Sequence, residues 1–224
     1  MSKLVFLAAL GAVALGVSGS ADAATISIGT GLNGGAITLK ASGATPGPVV
    51  WSGSVGGYNI NAVDGVDLTS ASLNSNALDA TTTGTSGVLD VYVTVSDVTG
   101  FGGVMSALSG LTVNFLTKGW SVTESTFEDN SNTVFGMANL LATHSFTSGP
   151  DIFTALTPVS VTAPFSVTEL YQISSNGLRG AANDTIDVSG SVPELSTWAM
   201  LGIGFAGIGL AGLTRRRKDS RYAL

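Results

Sequence analysis

The chain has 224 residues, no cysteine and a formal net charge of −6. Without the two apolar ends, Ala24 to Pro193 carries three basic residues (Lys40, Lys118, Arg179) against twelve acidic ones, a formal −9. That balance excludes a nucleic-acid partner, which needs a cationic surface, and the missing thiols exclude disulfides, thiolate catalysis and cysteine metal sites.

In chain order, Lys3 precedes an apolar stretch from Leu4 to Val17 and then Ala21-Asp22-Ala23. A short positive region, a hydrophobic region and a small-x-small site make a secretory signal, with cutting expected after Ala23. Residues 1–23 are therefore assigned as the signal peptide and residues 24–190 as one globular domain, long enough to bury a proper core.

Within that domain the apolar pattern has period two. Short β candidates are Ile26-Ile28, Ile37-Leu39, Val49-Trp51 and Tyr58-Ile60, followed by the clearest run, Leu89, Val91, Val93 and Val95. Asp90, Thr94 and Ser96 alternate with that run, which predicts one buried and one wet face. Further strands are expected at Leu111-Phe115, Trp120-Val122, Val159-Val161, Phe165-Val167 and Ile186-Val188. Turn signals such as Asn33-Gly34, Pro46-Gly47-Pro48, Gly56-Gly57, Asp64-Gly65 and Asn176-Gly177 separate them. Ser70 to Thr85 reads as a polar surface loop or a poor edge strand, and Met137 to Thr143 as one or two helical turns or a return to β structure. The expected fold is all-β, an antiparallel β-sandwich of about eight to eleven strands, with a jelly roll as the alternative.

No catalytic constellation stands out. Gly29-Thr30-Gly31-Leu32-Asn33-Gly34 matches G-x-G-x-x-G, but the chain continues as a strand, with no helix N-terminus to face a pyrophosphate. His144, the one histidine, lies on an expected strand between Thr143 and Ser145, and no G-x-S-x-G elbow accompanies it. Glu124, Glu128 and Asp129 are the acids a glycoside hydrolase would use, although surface charge on a hairpin explains them more simply. No cofactor is expected. Calcium is the one metal with suitable oxygen ligands, at Asp64-Gly65-Val66-Asp67 or Asn183-Asp184-Thr185-Ile186-Asp187. Thr81-Thr82-Thr83-Gly84-Thr85 suggests a flat threonine array for ice or mineral binding, but it occurs once and reads as a loop.

The tail, 191–224, carries the strongest signal: Val192-Pro193-Glu194, Ser196-Thr197, an apolar run from Trp198 to Leu213, then Arg215-Arg216-Arg217-Lys218. As a helix the run is about 24 Å long, a short single span aided by Trp198 at the interface and by snorkelling arginines. The basic residues 215–224 hold the cytoplasmic side, so the domain faces out. In this order the residues resemble the PEP-CTERM sorting tail, motif 192–198 and span 198–213, with Leu195 where the family usually has a second proline. The resemblance implies a Gram-negative bacterium and an exosortase-type processing enzyme acting near the motif. It also implies passage from the inner membrane, domain facing the periplasm, to the cell surface or exopolysaccharide. The expected partners are that enzyme, the export machinery, the membrane and polysaccharide. The reading is a non-catalytic, exported surface or matrix protein; a glycan or ester hydrolase and an ice- or mineral-surface binder are the alternatives.

Overall fold

The computed structural model describes residues 24–69, 72–85, 87–99 and 102–191, with Ile203 and Phe205. The signal residues Ala21 and Ala23, the motif Val192-Pro193-Glu194, Trp198 and the basic cluster Arg215 to Lys218 lie outside the described residues. Among the described residues no helix is long and apolar enough to cross a membrane.

Twelve strands follow in order: β1 (Thr25–Leu32), β2 (Thr38–Ala44), β3 (Val49–Val55), β4 (Tyr58–Thr69), β5 (Ser72–Thr82), β6 (Val88–Val98), β7 (Gly103–Leu116), β8 (Ser121–Asp129), β9 (Asn139–Phe146), β10 (Asp151–Val161), β11 (Phe165–Ser174) and β12 (Gly180–Ser191). They form two six-stranded sheets, A in the order β2-β1-β6-β11-β8-β9 and B in the order β10-β7-β12-β5-β4-β3. Every pairing is antiparallel.

The last eight strands pair as one long hairpin folded over on itself. β5 pairs with β12, β6 with β11, β7 with β10 and β8 with β9. Bringing β12 beside β7 and β11 beside β8 then closes two four-stranded halves, the pattern of a jelly roll. β1 and β2 extend sheet A past β6, while β4 and β3 extend sheet B past β5. The sandwich and jelly-roll expectations are thus two descriptions of one arrangement.

Between the sheets lies one core, in which Ile26, Ile28, Leu89, Val91, Val93 and Ile173 of sheet A meet Tyr58, Leu78, Leu111, Val113 and Ile186 of sheet B. Two side chains bolt the sheets together. Tyr171 on β11 accepts the Ile186 N–H of β12 at 2.9 Å, where a bulge between Asp184 and Ile186 interrupts the β12–β5 ladder. Tyr58 on β4 donates to Gly87 O at 2.8 Å and accepts from Ser175 N at 2.9 Å, and its ring meets Trp120 edge-on at 6.2 Å.

Three sequence expectations need correction. Within the stretch Ser70 to Thr85, Ser72–Thr82 is neither a loop nor an edge: it is β5, inside sheet B between β12 and β4, because Leu73, Leu78 and Ala80 give it a buried face despite its polar look. Asp64-Gly65 is no turn, since β4 runs straight through it; Gly65 is needed because a Cβ there would come within 2.8 Å of Ile26 and 2.9 Å of Val93. The outward face of β6 is not wet either: Asp90, Tyr92, Thr94 and Ser96 are buried.

Candidate functional site

What covers the outer face of sheet A is the connection from β8 to β9, residues 130–138. Asn132 ties it to β6, donating to Asp97 Oδ1 at 2.7 Å and accepting from Asp97 N at 2.8 Å. Ser166 Oγ donates to Thr133 O at 2.8 Å. Phe135 then lies on the sheet with its ring 5.9 Å from that of Tyr92. Beneath it is Gly29, where a Cβ would sit 2.6 Å from the Phe135 ring and 2.8 Å from Ile37.

This accounts for the G-x-G-x-x-G match without a nucleotide. Gly29 admits the phenylalanine, and Asn33 and Gly34, with φ of 53° and 68°, make the β1–β2 turn. That turn is anchored where Gly34 N donates to Asp90 Oδ2 at 2.7 Å and Val88 N to Asn33 Oδ1 at 2.8 Å.

Elsewhere on this face, hydroxyls pair across neighbouring strands: Thr94 with Thr168 in a buried pair, Ser125 with Thr143, and Thr123 with Ser145 in an exposed one. Over β6 and β11 the face is thus a second, partly polar core, while toward β9 it stays exposed.

The candidate catalytic acids are inside the molecule. Glu124 and Glu128 on β8 face the space between the sheets, as does Thr126, which bonds Ser109 of sheet B at 2.8 Å. Glu124 is 0 % exposed and Glu128 1 %, so neither is the surface charge the sequence suggested. Across from Glu124 is Asp184 of β12, also 0 % exposed, and among the described residues neither carboxyl makes a well-formed hydrogen bond. Burial pushes the Glu124 carboxyl up to about 9, the nearby Asp184 adds to this, and the Thr112 backbone offsets it only in part. Burial, with Asp79 behind it, raises Asp184 to about 8. At neutral pH both are therefore neutral acids.

Glu128 is raised by burial as well, although Asn139 Nδ2 donates to its Oε2 at 2.8 Å. Asp129 accepts from Ser131 N at 2.7 Å and so shapes the following turn.

Paired carboxylates of a glycosidase must flank a sugar in a cleft. Glu124 and Glu128 instead point between two packed sheets, out of reach of a polymer. His144 does belong to β9, as expected, but it faces inward at the sandwich corner. It stacks on Phe153 at 4.5 Å and meets Phe146 edge-on at 4.7 Å, which makes it a packing residue in this arrangement.

Of the acids of the two calcium candidates, Asp64 and Asp67 fall within β4, Asp184 points into the core, and Asp187 faces the opposite side of β12. Among the described residues no three acidic or histidine side chains converge. The threonine run is likewise spent on structure, since Thr82 and Thr85 donate to Gly57 O and Gly56 O of the β3–β4 turn.

One large face stays open, the outside of sheet B. Its middle is polar, with Asn183 bonded to Asp79 and Asn114 to Thr185. Toward the β10 edge it turns aliphatic: Val104, Leu108, Ile152 and Leu156 are 69, 47, 68 and 66 % exposed, and Leu156 lies directly beside Leu108 in the ladder. The period-two pattern of Ile152-x-Thr154-x-Leu156 marks this stripe, but periodicity alone does not say which face of a strand is left uncovered.

No protein-family profile matches the chain, and no characterised protein matches its sequence. Among solved structures it is similar to an arabinose-bound MgGH51 α-L-arabinofuranosidase, at 14% sequence identity and a TM-score of 0.32. That alignment covers 65% of this chain and 25% of the enzyme, so the chain spans about a quarter of its length.

Proposed function

We propose that the protein is an exported, non-catalytic component of the cell surface or extracellular matrix, delivered by its PEP-CTERM-like tail. The carrying observation is the ordered run Val192-Pro193-Glu194, Trp198 to Leu213 and Arg215 to Lys218, opposite an N-terminal export signal that orients the domain the same way. The positions of the acids agree with a non-catalytic role, because buried neutral carboxyls can serve neither as nucleophile nor as acid toward an external substrate. Polysaccharide is the ligand class that this destination implies. The open face of sheet B, with the amides of Asn114 and Asn183 and the hydroxyl of Thr185, offers the groups to meet it.

Mass spectrometry of the mature protein tests the sorting. We expect a first residue of Ala24 and a last residue near Pro193; a chain still ending at Leu224 would make the tail a permanent anchor. Restoring the family's second proline as Leu195→Pro should increase the processed fraction, since it fixes one more φ and removes an N–H in the segment to be recognised.

Hydrolysis is the second reading. A panel of glycan and ester substrates should give no turnover, and activity lost in His144→Ala or Glu124→Gln would overturn the non-catalytic assignment.

A further inference from the structure

We propose that the chain self-associates through the free edge of β10, with a second copy of the same strand pairing antiparallel about a two-fold axis at Thr154. Among the described residues β10 ends sheet B, and its edge is protected over only half its length. Toward its C-terminal end, Asn130 caps it, donating to Ser160 O and accepting from Thr162 N. Pro158 has no N–H to offer, and Thr157 Oγ1 ties the strand to Leu141 O of β9 at 2.7 Å. From Ile152 to Leu156 no neighbouring segment caps the edge; the Asp151 carboxylate accepts the Ile152 N–H at 2.9 Å and would have to turn aside, and a strand edge so lightly guarded is a template for another strand.

The direction of the free groups follows from Asn130. Because Ser160 O and Thr162 N point away from β7, backbone alternation turns the N–H and C=O of Ile152, Thr154 and Leu156 the same way.

What selects a second copy over any other strand is the symmetry of the sequence about Thr154. It reads Pro150-Asp151-Ile152-Phe153-Thr154-Ala155-Leu156-Thr157-Pro158. An antiparallel pair centred there sets Thr154 against itself, Ile152 against Leu156 of the other copy, and Pro150 against Pro158. The three edge-facing residues of each copy would exchange about six backbone hydrogen bonds. Where pairing stops, both strands offer a proline, so no amide is stranded. Asp151 meets Thr157 rather than another acid, which matters for a domain carrying a formal −9. On the outer face the exposed Leu108, Leu156 and Ile152 of the two copies join into a single aliphatic stripe, removing from water side chains that are 47, 66 and 68 % exposed alone. Two six-stranded sheets become one of twelve, and the interface is isologous and closed.

The absence of native cysteine makes the test direct. In the full chain, Thr154→Cys places two thiols on the axis, with Cα atoms about 5.5 Å apart, within disulfide range. Ser160→Cys, on the same strand and face, would sit roughly 40 Å from its counterpart. Under mild oxidation we expect the Thr154→Cys chain to become a disulfide dimer at least tenfold faster than the Ser160→Cys chain. Adding Ile152→Lys, an exposed substitution that folding tolerates, should remove that advantage. Equal rates for the two cysteines would overturn the proposal, and so would a Thr154→Cys dimer insensitive to Ile152→Lys.

Discussion

The stability of the sandwich should fall steadily as pH rises from the ordinary carboxyl range to about 9, and Glu124→Gln should remove much of that slope. The sign follows from the raised carboxyls. In the unfolded chain Glu124 and Asp184 release their protons near 4.5 and 3.8; in the folded protein they hold them to about 9 and about 8. Between those limits the native state binds more protons than the unfolded one, so each rise in pH favours unfolding, by up to about 1.4 kcal/mol per pH unit for each group. The contribution is fully present below the unfolded values and lost above the folded ones.

No cation intervenes among the described residues. Lys40 lies over the Trp51 ring at 5.6 Å, and Lys118 and Arg179 are exposed. From β11 the carboxyl of Glu169 and the hydroxyl of Tyr171 share the interior, Asp79 of β5 lies behind Asp184 on the outer face, and His144 of β9 is Glu124's partner in the ladder.

Glu124→Gln keeps the shape and needs no proton, so it should stabilise the fold by about 3 kcal/mol at neutral pH. Urea unfolding followed by emission of buried Trp120, repeated across pH, reads both effects. A flat profile for the wild-type chain would show that these carboxyls are hydrated or paired in solution.

This expectation also shows why some of the molecule was legible in the sequence and some was not. Period-two runs such as Leu89 to Val95 marked strands correctly, because alternation is a local consequence of the pleat. They could not say what the other face met. Asp90, Thr94 and Ser96 look solvated in the sequence, but a loop more than thirty residues away, carrying Asn132 and Phe135, folds over them.

The same blindness applies to the acids. Glu124-x-Thr126-x-Glu128 on β8 has the pattern of a wet face, and only the arrival of β12 from the far end of the chain turns it into an interior. β5 was hidden for the opposite reason: Asn, Ser and Asp dilute its buried Leu73, Leu78 and Ala80 below what a pattern can show. The candidate site suffered most, since the feature that makes Ile152 and Leu156 notable is that no described residue covers them.

Tyr58→Phe should cost about 2–4 kcal/mol, although it removes a single oxygen. The phenol is a two-way link: it donates to Gly87 O, before β6, and accepts from Ser175 N, after β11. Both partners belong to segments that cross from one sheet to the other, so the hydroxyl secures a corner of the sandwich that the ladders leave unpaired. Removing it leaves a buried N–H without its acceptor, and such orphaned groups cost more than the net value of the bond they lost. The ring itself stays, with its edge contact to Trp120 at 6.2 Å intact, which separates the polar effect from a cavity. Trp120→Ala provides the comparison, at about 3–5 kcal/mol for a fully buried indole. If Tyr58→Phe unfolds at the wild-type urea midpoint, water must reach Ser175 N, and the corner is open in solution. If it unfolds early while the slope with urea is unchanged, the hydroxyl holds sheet to sheet.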